Sequence, residues 1–382
     1  MKKKIIRTAT VASSLDILLK GQLSFLNEHF EVIAVSGQDN HLDNVANREK
    51  IKTISVAFQR HISPFQDFIS LIKLYKVLKK EKPFIIHSIT PKAGLLSMIA
   101  GFFARVPIRI HTFTGLVFST KTGFLRILLI NLDRLLCLFA THIFPEGNGV
   151  KNDLLKYKIT NKSLNVIANG NINGVDLECF NPKLFSDNDK IILKKNLNIF
   201  NADFVFIYIG RLVSDKGINE LVAAFDKLSH KNKNVKLLLV GNFENHLDPL
   251  ITETYEILNH NKSIISVGFQ DDVRPYFAVS NALAFPSYRE GFPNVVLQAG
   301  AMNLPSIVTN INGCNEIIQD NFNGLIIESK NEDAIFESMS LFLNNNDLVS
   351  KLTENSRNNI VARFEQSLVW NALLEEYQKF EI

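Results

Sequence analysis

The sequence predicts an α/β protein made of two Rossmann-like doubly wound domains facing one another across a cleft. Three observations carry this. The chain has 382 residues, too many for one typical core. Short apolar runs alternate with longer stretches of helical periodicity, the pattern of parallel strands buried on both faces and joined by crossover helices. The alternation restarts near residue 203, after the charged segment SDNDKIILKKNLNIFNAD that comes behind NPKLF. The first domain is therefore set at 1–183, with a terminal helix at about 365–382 crossing back onto it, and the second at 200–362.

In chain order the strand-like runs of the first domain are KIIRTATV, FEVIAVSG, FIIHSI, RIHTFT, ATHIFPE and LNVIANG. Those of the second are FVFIYIG, VKLLLVG, IISVGF, ALAFPS, PSIVTN and NGLIIE. Helical patterns fill the intervals, among them 65–81, 92–105, 123–139 and 216–230. The terminal FEQSLVWNALLEEYQKF carries Leu368, Leu373 and Tyr377 at helical spacing.

Composition narrows the function. Hydrophobic residues are 46% and charged residues 21%, ordinary for a globular protein. Cys137, Cys179 and Cys314 have no ligand spacing, so neither disulfides nor a zinc site are expected and a reducing, cytoplasmic setting is. The opening MKKKIIRTATVASSL has a basic head, but Arg7, Thr8 and Thr10 interrupt the apolar run behind it, and it reads as a buried first strand rather than a leader. The longest apolar stretch, 124–144, is broken by Arg126, Asn131, Asp133 and Arg134, so no transmembrane helix is expected. The formal net charge of +4 hides an asymmetry: residues 1–170 hold 24 Lys and Arg against 11 Asp and Glu, and the remainder 18 against 27. A basic half suits an anionic surface or substrate. No basic stripe with stacking aromatics occurs, so no nucleic-acid partner is expected; the anionic leaflet of a membrane fits better.

In doubly wound sheets ligands sit at the carboxyl ends of strands, so the strand-to-helix loops decide the chemistry. In IGRLVSDKGI, Gly210 closes a strand, Arg211 comes next and Lys216 lies five residues on. A guanidinium and an ammonium on one loop can grip one anion from two sides. The plain alternative is two solvated cations, although positive charge opposes the dipole at a helix start. In REGFPNVVLQAG at 289–300, Gly291 allows close backbone approach and Pro293 suits a first helical turn. The N–H groups of Gly291, Phe292, Asn294 and Val295 would then face a ligand, as at phosphate-binding helix starts. Glu290 reads either as an acid complementing the dipole or as an acceptor for sugar hydroxyls. Gln298 lies eight residues on, about 12 Å along a helix and on nearly the same face. It is either a helix-surface amide or a contact to the far end of an elongated ligand.

Together GRLVSDKG, SYREGFPNVVLQAGAMNLPSIVTNINGCNEII, ANGNINGVDLECFNP and HSITPKAGLLSMIAGFFARVPIRIHTFTG resemble, in family order and over essentially the whole chain, the retaining nucleotide-sugar-dependent glycosyltransferases of the GT-B fold. The resemblance is nearest to bacterial members that build capsular, O-antigen and protein-linked glycans. It implies that Arg211 and Lys216 grip the donor diphosphate and stabilise the departing nucleotide. It places Glu290 at the donor sugar as the first acid of a Glu–seven–Glu motif, and Gly291, Phe292, Pro293 and Asn294 in the loop contacting sugar and phosphate. Gly268 and Phe269 fall where backbone atoms meet the base. Gln298 departs from the family's second Glu; an amide still donates and accepts there but carries no charge. The family's N-domain histidine matches no certain position: His111 is close, Thr114 stands where it is usually found, and His87 begins the neighbouring loop. Ser13 and Ser14, after the first strand, face either acceptor and phosphates or only cap a helix.

The resemblance further implies no cofactor and no bound metal, with a nucleoside diphosphate sugar, expected to be a UDP-sugar, as co-substrate. The expected acceptor is a lipid-linked, polyprenyl-diphosphate saccharide. That places the chain in the cytoplasm, peripheral at the inner face of the membrane, with 123–139 as either an interfacial helix or a core-packed one. Two rival readings are a nucleotide-sugar 2-epimerase-like isomerase, which lacks this Arg/Lys loop paired with Glu-Gly-Phe-Pro, and a non-catalytic sugar-nucleotide-binding subunit, suggested by Gln298.

Overall fold

The structure, a computed structural model, describes residues 2–59, 63–244 and 248–381. It forms two compact units, 1–174 with 366–382, and 175–365. The first holds a parallel sheet of β1 (Lys4–Thr8), β2 (Glu31–Ser36), β3 (Lys52–Ser55), β4 (Ile85–Ser88), β5 (Ile108–Phe113) and β6 (His142–Pro145), in the order β3-β2-β1-β4-β5-β6. The second holds β7 (Phe204–Ile209), β8 (Val235–Val240), β9 (Ile264–Ser266), β10 (Ala282–Phe285), β11 (Ser306–Thr309) and β12 (Gly324–Ile327), in the order β12-β11-β10-β7-β8-β9. Counted from its own first strand, each sheet has the same doubly wound order. The winding reverses between β1 and β4 and again between β7 and β10, and such switch points are where doubly wound sheets bind their ligands.

The central strands are apolar on both faces because helices cover both. Ile5, Ile33, Ile85 and Ile110 in the first sheet, and Val205, Ile207, Leu238 and Leu283 in the second, are fully buried. Two strand expectations change. LNVIANG is not a strand: Leu164 makes one isolated bridge to Ile143, and Ala168 and Asn171 then turn through positive φ. The sixth strand is instead β3, an edge strand whose residues are exposed or half-buried, so it lacks the continuous apolar signature. The domain boundary also moves. Val175 N donates to Phe364 O at 2.8 Å, and Arg357 donates to the carbonyls of Leu177 and Phe180 at 3.0 and 2.7 Å. These bonds tie 175–183, expected in the first domain, to the second unit.

The terminal helix Gln366–Lys379 belongs to the first unit, held by a buried polar network. Arg7 Nη1 donates to Tyr377 Oη and to Gln22 Oε1, each at 3.0 Å. Tyr377 Oη lies 2.5 Å from His87 Nδ1, and His87 Nε2 lies 2.7 Å from Thr112 Oγ1. Since the phenol accepts from Arg7, its own proton goes to Nδ1, and Nε2–H donates to Thr112. Burial, then the Arg7 charge, holds the imidazole well below its ordinary pKa, so it stays neutral. Gln22 is consumed here too, its amide donating to Ile172 O at 2.8 Å. Tyr377→Phe strands Arg7 and His87 of a shared partner. It is expected to cost about 1–3 kcal/mol in urea unfolding; an unchanged midpoint would show that the network does not hold the helix.

Candidate active site

At the second unit's switch point, two loops leave neighbouring strand ends. β7 ends at Ile209, and Gly210 turns into Arg211 and the single turn Ser214–Lys216. Below them Tyr208 is fully buried and donates to Arg211 O at 3.1 Å; burial raises its phenol well above the usual range. β10 ends at Phe285, and the chain runs irregularly to Pro293. The loops touch because Gly217 lets them. A Cβ there would stand 2.2 Å from Pro286 O, and φ is +71°, a left-handed value that suits glycine.

Across this contact the charges pair. Lys216 Nζ lies 2.5 Å from Glu290 Oε1, with 14% and 17% of the two side chains exposed. Arg289 Nη2 lies 2.7 Å from Asp215 Oδ2, and Tyr288 N donates to Asp215 O at 3.0 Å. Arg211 Nη1 meets Glu244 Oε2 at 2.9 Å. The two cations of the first loop therefore do not converge on one point in this structure; each is held by its own carboxylate. Glu290, expected at a sugar, holds Lys216.

The helix after Glu290 also starts later than expected. It spans Asn294–Ala301 with Pro293 as its N-cap, not in its first turn. Glu290 lies outside the helix, so the same-face relation to Gln298 does not apply; Gln298 is a half-buried helical residue. Gly291 and Phe292 precede the helix as well. Phe292 turns inward, its ring 5.6 Å from that of Phe364. Gly313 packs on this turn, where a Cβ would stand 2.5 Å from Gly291 O. Val295 is half-buried in the first helical turn. Gly268 lies just past β9 with φ +67° and accepts from Gly241 N at 2.8 Å, while Phe269 exposes its ring at the same sheet edge.

In the first unit, Ser13 and Ser14 lie inside the first turn of Ala12–Leu18, which Val11 caps without a side-chain bond, so neither serine is the cap. Thr114 stands past β5 at its carboxyl end and donates to Ile89 O at 3.1 Å. His111 is corrected outright. It is 1% exposed, bonded to Ser88 Oγ at 2.8 Å, and burial lowers its pKa to about 3. A neutral ring enclosed in the core does not reach a reacting sugar, and His87 is equally interior. Sequence reasoning missed Thr10 and Thr90, whose hydroxyls meet at 2.8 Å at the first unit's switch point, and it missed Asp215 and Arg289. The adjacent opposite charges in SDKG and YREG were the available signal. Among the described residues no group of three His, Cys, Asp or Glu side chains is placed to hold a metal ion.

Two doubly wound units of this order define the GT-B class of fold. The chain belongs to the glycosyltransferases: residues 189–359 match the family Glycosyl transferases group 1, and residues 11–144 match Glycosyl transferase 4-like. It is 32% identical to the capsular polysaccharide biosynthesis glycosyltransferase CapM of Staphylococcus aureus, over 99% of this chain and 97% of that one. It is 29% identical, over 88% and 86%, to the UDP-Gal:alpha-D-GlcNAc-diphosphoundecaprenol alpha-1,3-galactosyltransferase of Escherichia coli. Its fold is similar to the crystal structure of Anabaena HepE in complex with UDP, with TM-score 0.83, 16% identity and 99% and 100% coverage. The matched families are transferases, which disfavours the isomerase reading. Gly217→Ala forces a Cβ against Pro286 O in a left-handed backbone. It is expected to cost about 1–3 kcal/mol in thermal melting; an unshifted melt would mean the two loops are not packed this closely.

Proposed function

We propose that the chain transfers a hexose or N-acetylhexosamine, with retained anomeric configuration, from a UDP-sugar to a lipid-linked polyprenyl-diphosphate glycan in bacterial surface polysaccharide assembly. The observation that carries this is the switch-point loop pair, with Arg211 and Lys216 on one side and Glu290 on the other. The named activities of the Staphylococcus and Escherichia relatives support the substrate classes. A donor diphosphate exchanges for the carboxylates now on Lys216 and Arg211, which frees Glu290 to accept hydrogen bonds from the donor sugar. The bond from the anomeric carbon to the diphosphate breaks, and its electron pair leaves on the phosphate oxygen. The two cations meet that growing charge, in this reading without a metal, while the acceptor hydroxyl bonds through its oxygen to the same face of the sugar and passes its proton to the departing phosphate oxygen. In this reading the base rests against Gly268 and Phe269, and the uncharged amide of Gln298 meets the ribose.

In this reading the first unit supplies the surface that meets lipid. Helix Gly123–Phe139 buries only Leu136 and Cys137, while Phe124, Ile127 and Leu138 are 80%, 59% and 69% exposed. Its other face packs on the core through Leu129, Ile130, Leu136, Cys137 and Phe139, so only the exposed face is free for lipid. Helix Pro64–Glu81 exposes Phe65 and Phe68 and carries Lys73, Lys76, Lys79 and Lys80. Exposed aromatics beside lysines suit the interface of an anionic leaflet. Among the described residues no helix is long and apolar enough to cross a membrane.

A panel of UDP- and GDP-sugars with a lipid-linked acceptor, read by mass spectrometry, tests the reaction. Transfer is expected, and Arg211→Ala or Lys216→Ala should lower turnover by about 10²–10³, the scale for removing one donor to a developing anion. Conversion of the donor without acceptor, or binding without turnover, would overturn it. In sedimentation with anionic liposomes the protein should bind at low salt and leave at high salt; no binding at low salt would remove the membrane from this reading.

A further inference from the structure

The two loops present two dipeptides of opposite charge order, Asp215-Lys216 and Arg289-Glu290, and both pairs close crosswise, at 2.7 and 2.5 Å. We infer that Asp215 and Arg289 are positioning residues that fix Lys216 opposite Glu290 and hold the loops together when that inner pair opens.

The crossing specifies one register. Sliding one loop by a residue would set Asp215 against Glu290, or Lys216 against Arg289, and like charges in contact repel. The backbone reinforces the observed alignment through Tyr288 N to Asp215 O, and Gly217 seats against Pro286 O immediately beyond. Each outer residue is also anchored from behind. Asp215 N donates to Asp248 Oδ2 at 2.6 Å. Tyr288, beside Arg289, donates to Glu220 Oε1 at 2.5 Å, at the start of helix Ile218–Lys231. Asp215 spends one carboxylate oxygen on Arg289, while the other is buried and finds no partner among the described residues. The outer carboxylate is thus committed to the loop contact. The inner pair is the more enclosed, and an anion that takes Lys216 breaks it. The outer pair makes no demand on that anion and keeps the loops in register through the exchange. This last step rests on the donor-binding reading proposed for the site; the register itself does not.

The test has two readouts. Competitive acetylation with acetic anhydride, then peptide mass spectrometry, reports the reactivity of Lys216 without any ligand. Arg289→Ala should speed its labelling by roughly three- to fivefold, the scale of a half-exposed ion pair. Arg289→Lys should stay near wild type. The Asp215→Ala/Arg289→Ala double variant should be no faster than either single, because the two residues act as one unit. Calorimetry with UDP reports the anion. Arg289→Ala should weaken binding by about the same factor, with the melting temperature unmoved. Equal labelling of Lys216 in wild type and Arg289→Ala would overturn the inference, whatever UDP does. If wild type binds no UDP while the labelling changes as expected, the donor reading fails and the positioning role stands.

Discussion

β7 and β10 hydrogen-bond side by side, Phe206 opposite Ala282 and Ile207 opposite Leu283, although the chain visits two other strands between them. That adjacency brings the Arg211–Lys216 loop and the Pro286–Pro293 loop into contact. No tuned side chain creates the meeting; the strand order does, and the side chains decide only what happens there. Gly217 lets the backbones approach, Tyr208 supports the first loop from beneath, and Gly313 supports the second. The charged residues are thus carried by backbone that has little freedom left, as a site must be if it is to place charge before a ligand arrives.

The same winding occurs twice, and the two crevices carry different chemistry. In the second unit Arg211, Asp215, Lys216, Arg289 and Glu290 are all paired, Arg211 with Glu244 and the others across the loops. In the first unit the equivalent loops meet through the hydroxyls of Thr10 and Thr90, and Thr10 also accepts from Ala93 N at 3.2 Å. A crevice of cations and acids suits an anionic diphosphate; a neutral hydroxyl crevice does not compete for it. One architecture is thus differentiated by a few loop residues.

Much of this was legible in the sequence. Strands buried on both faces announce themselves as apolar runs, and eleven of the twelve were readable so; β3 was not, since an edge strand keeps polar residues and loses the signal. Arg211, Lys216 and Glu290 stood out because charge and glycine beside an apolar strand end are unusual. Their pairing did not, because an ion pair between residues 74 apart leaves no periodic trace. Glu290 and Gln298 looked like one helical face because eight residues fit two turns; Pro293 starts the helix after Glu290 and removes that logic. His111 was a candidate because the family's histidine falls near it, but Ser88 satisfies its ring inside the core, and no sequence pattern marks that.

The buried bond from Arg7 to Tyr377 has a consequence for biogenesis. On a ribosome β1 is made long before the helix that completes it, since its guanidinium waits for a phenol 370 residues further on. The segment 175–365 is continuous and holds every residue of its own sheet, so it has all its partners as soon as it has emerged. The part translated first is therefore the part completed last, and a chain halted before residue 366 would carry a closed second unit beside a first one still open over a buried positive charge.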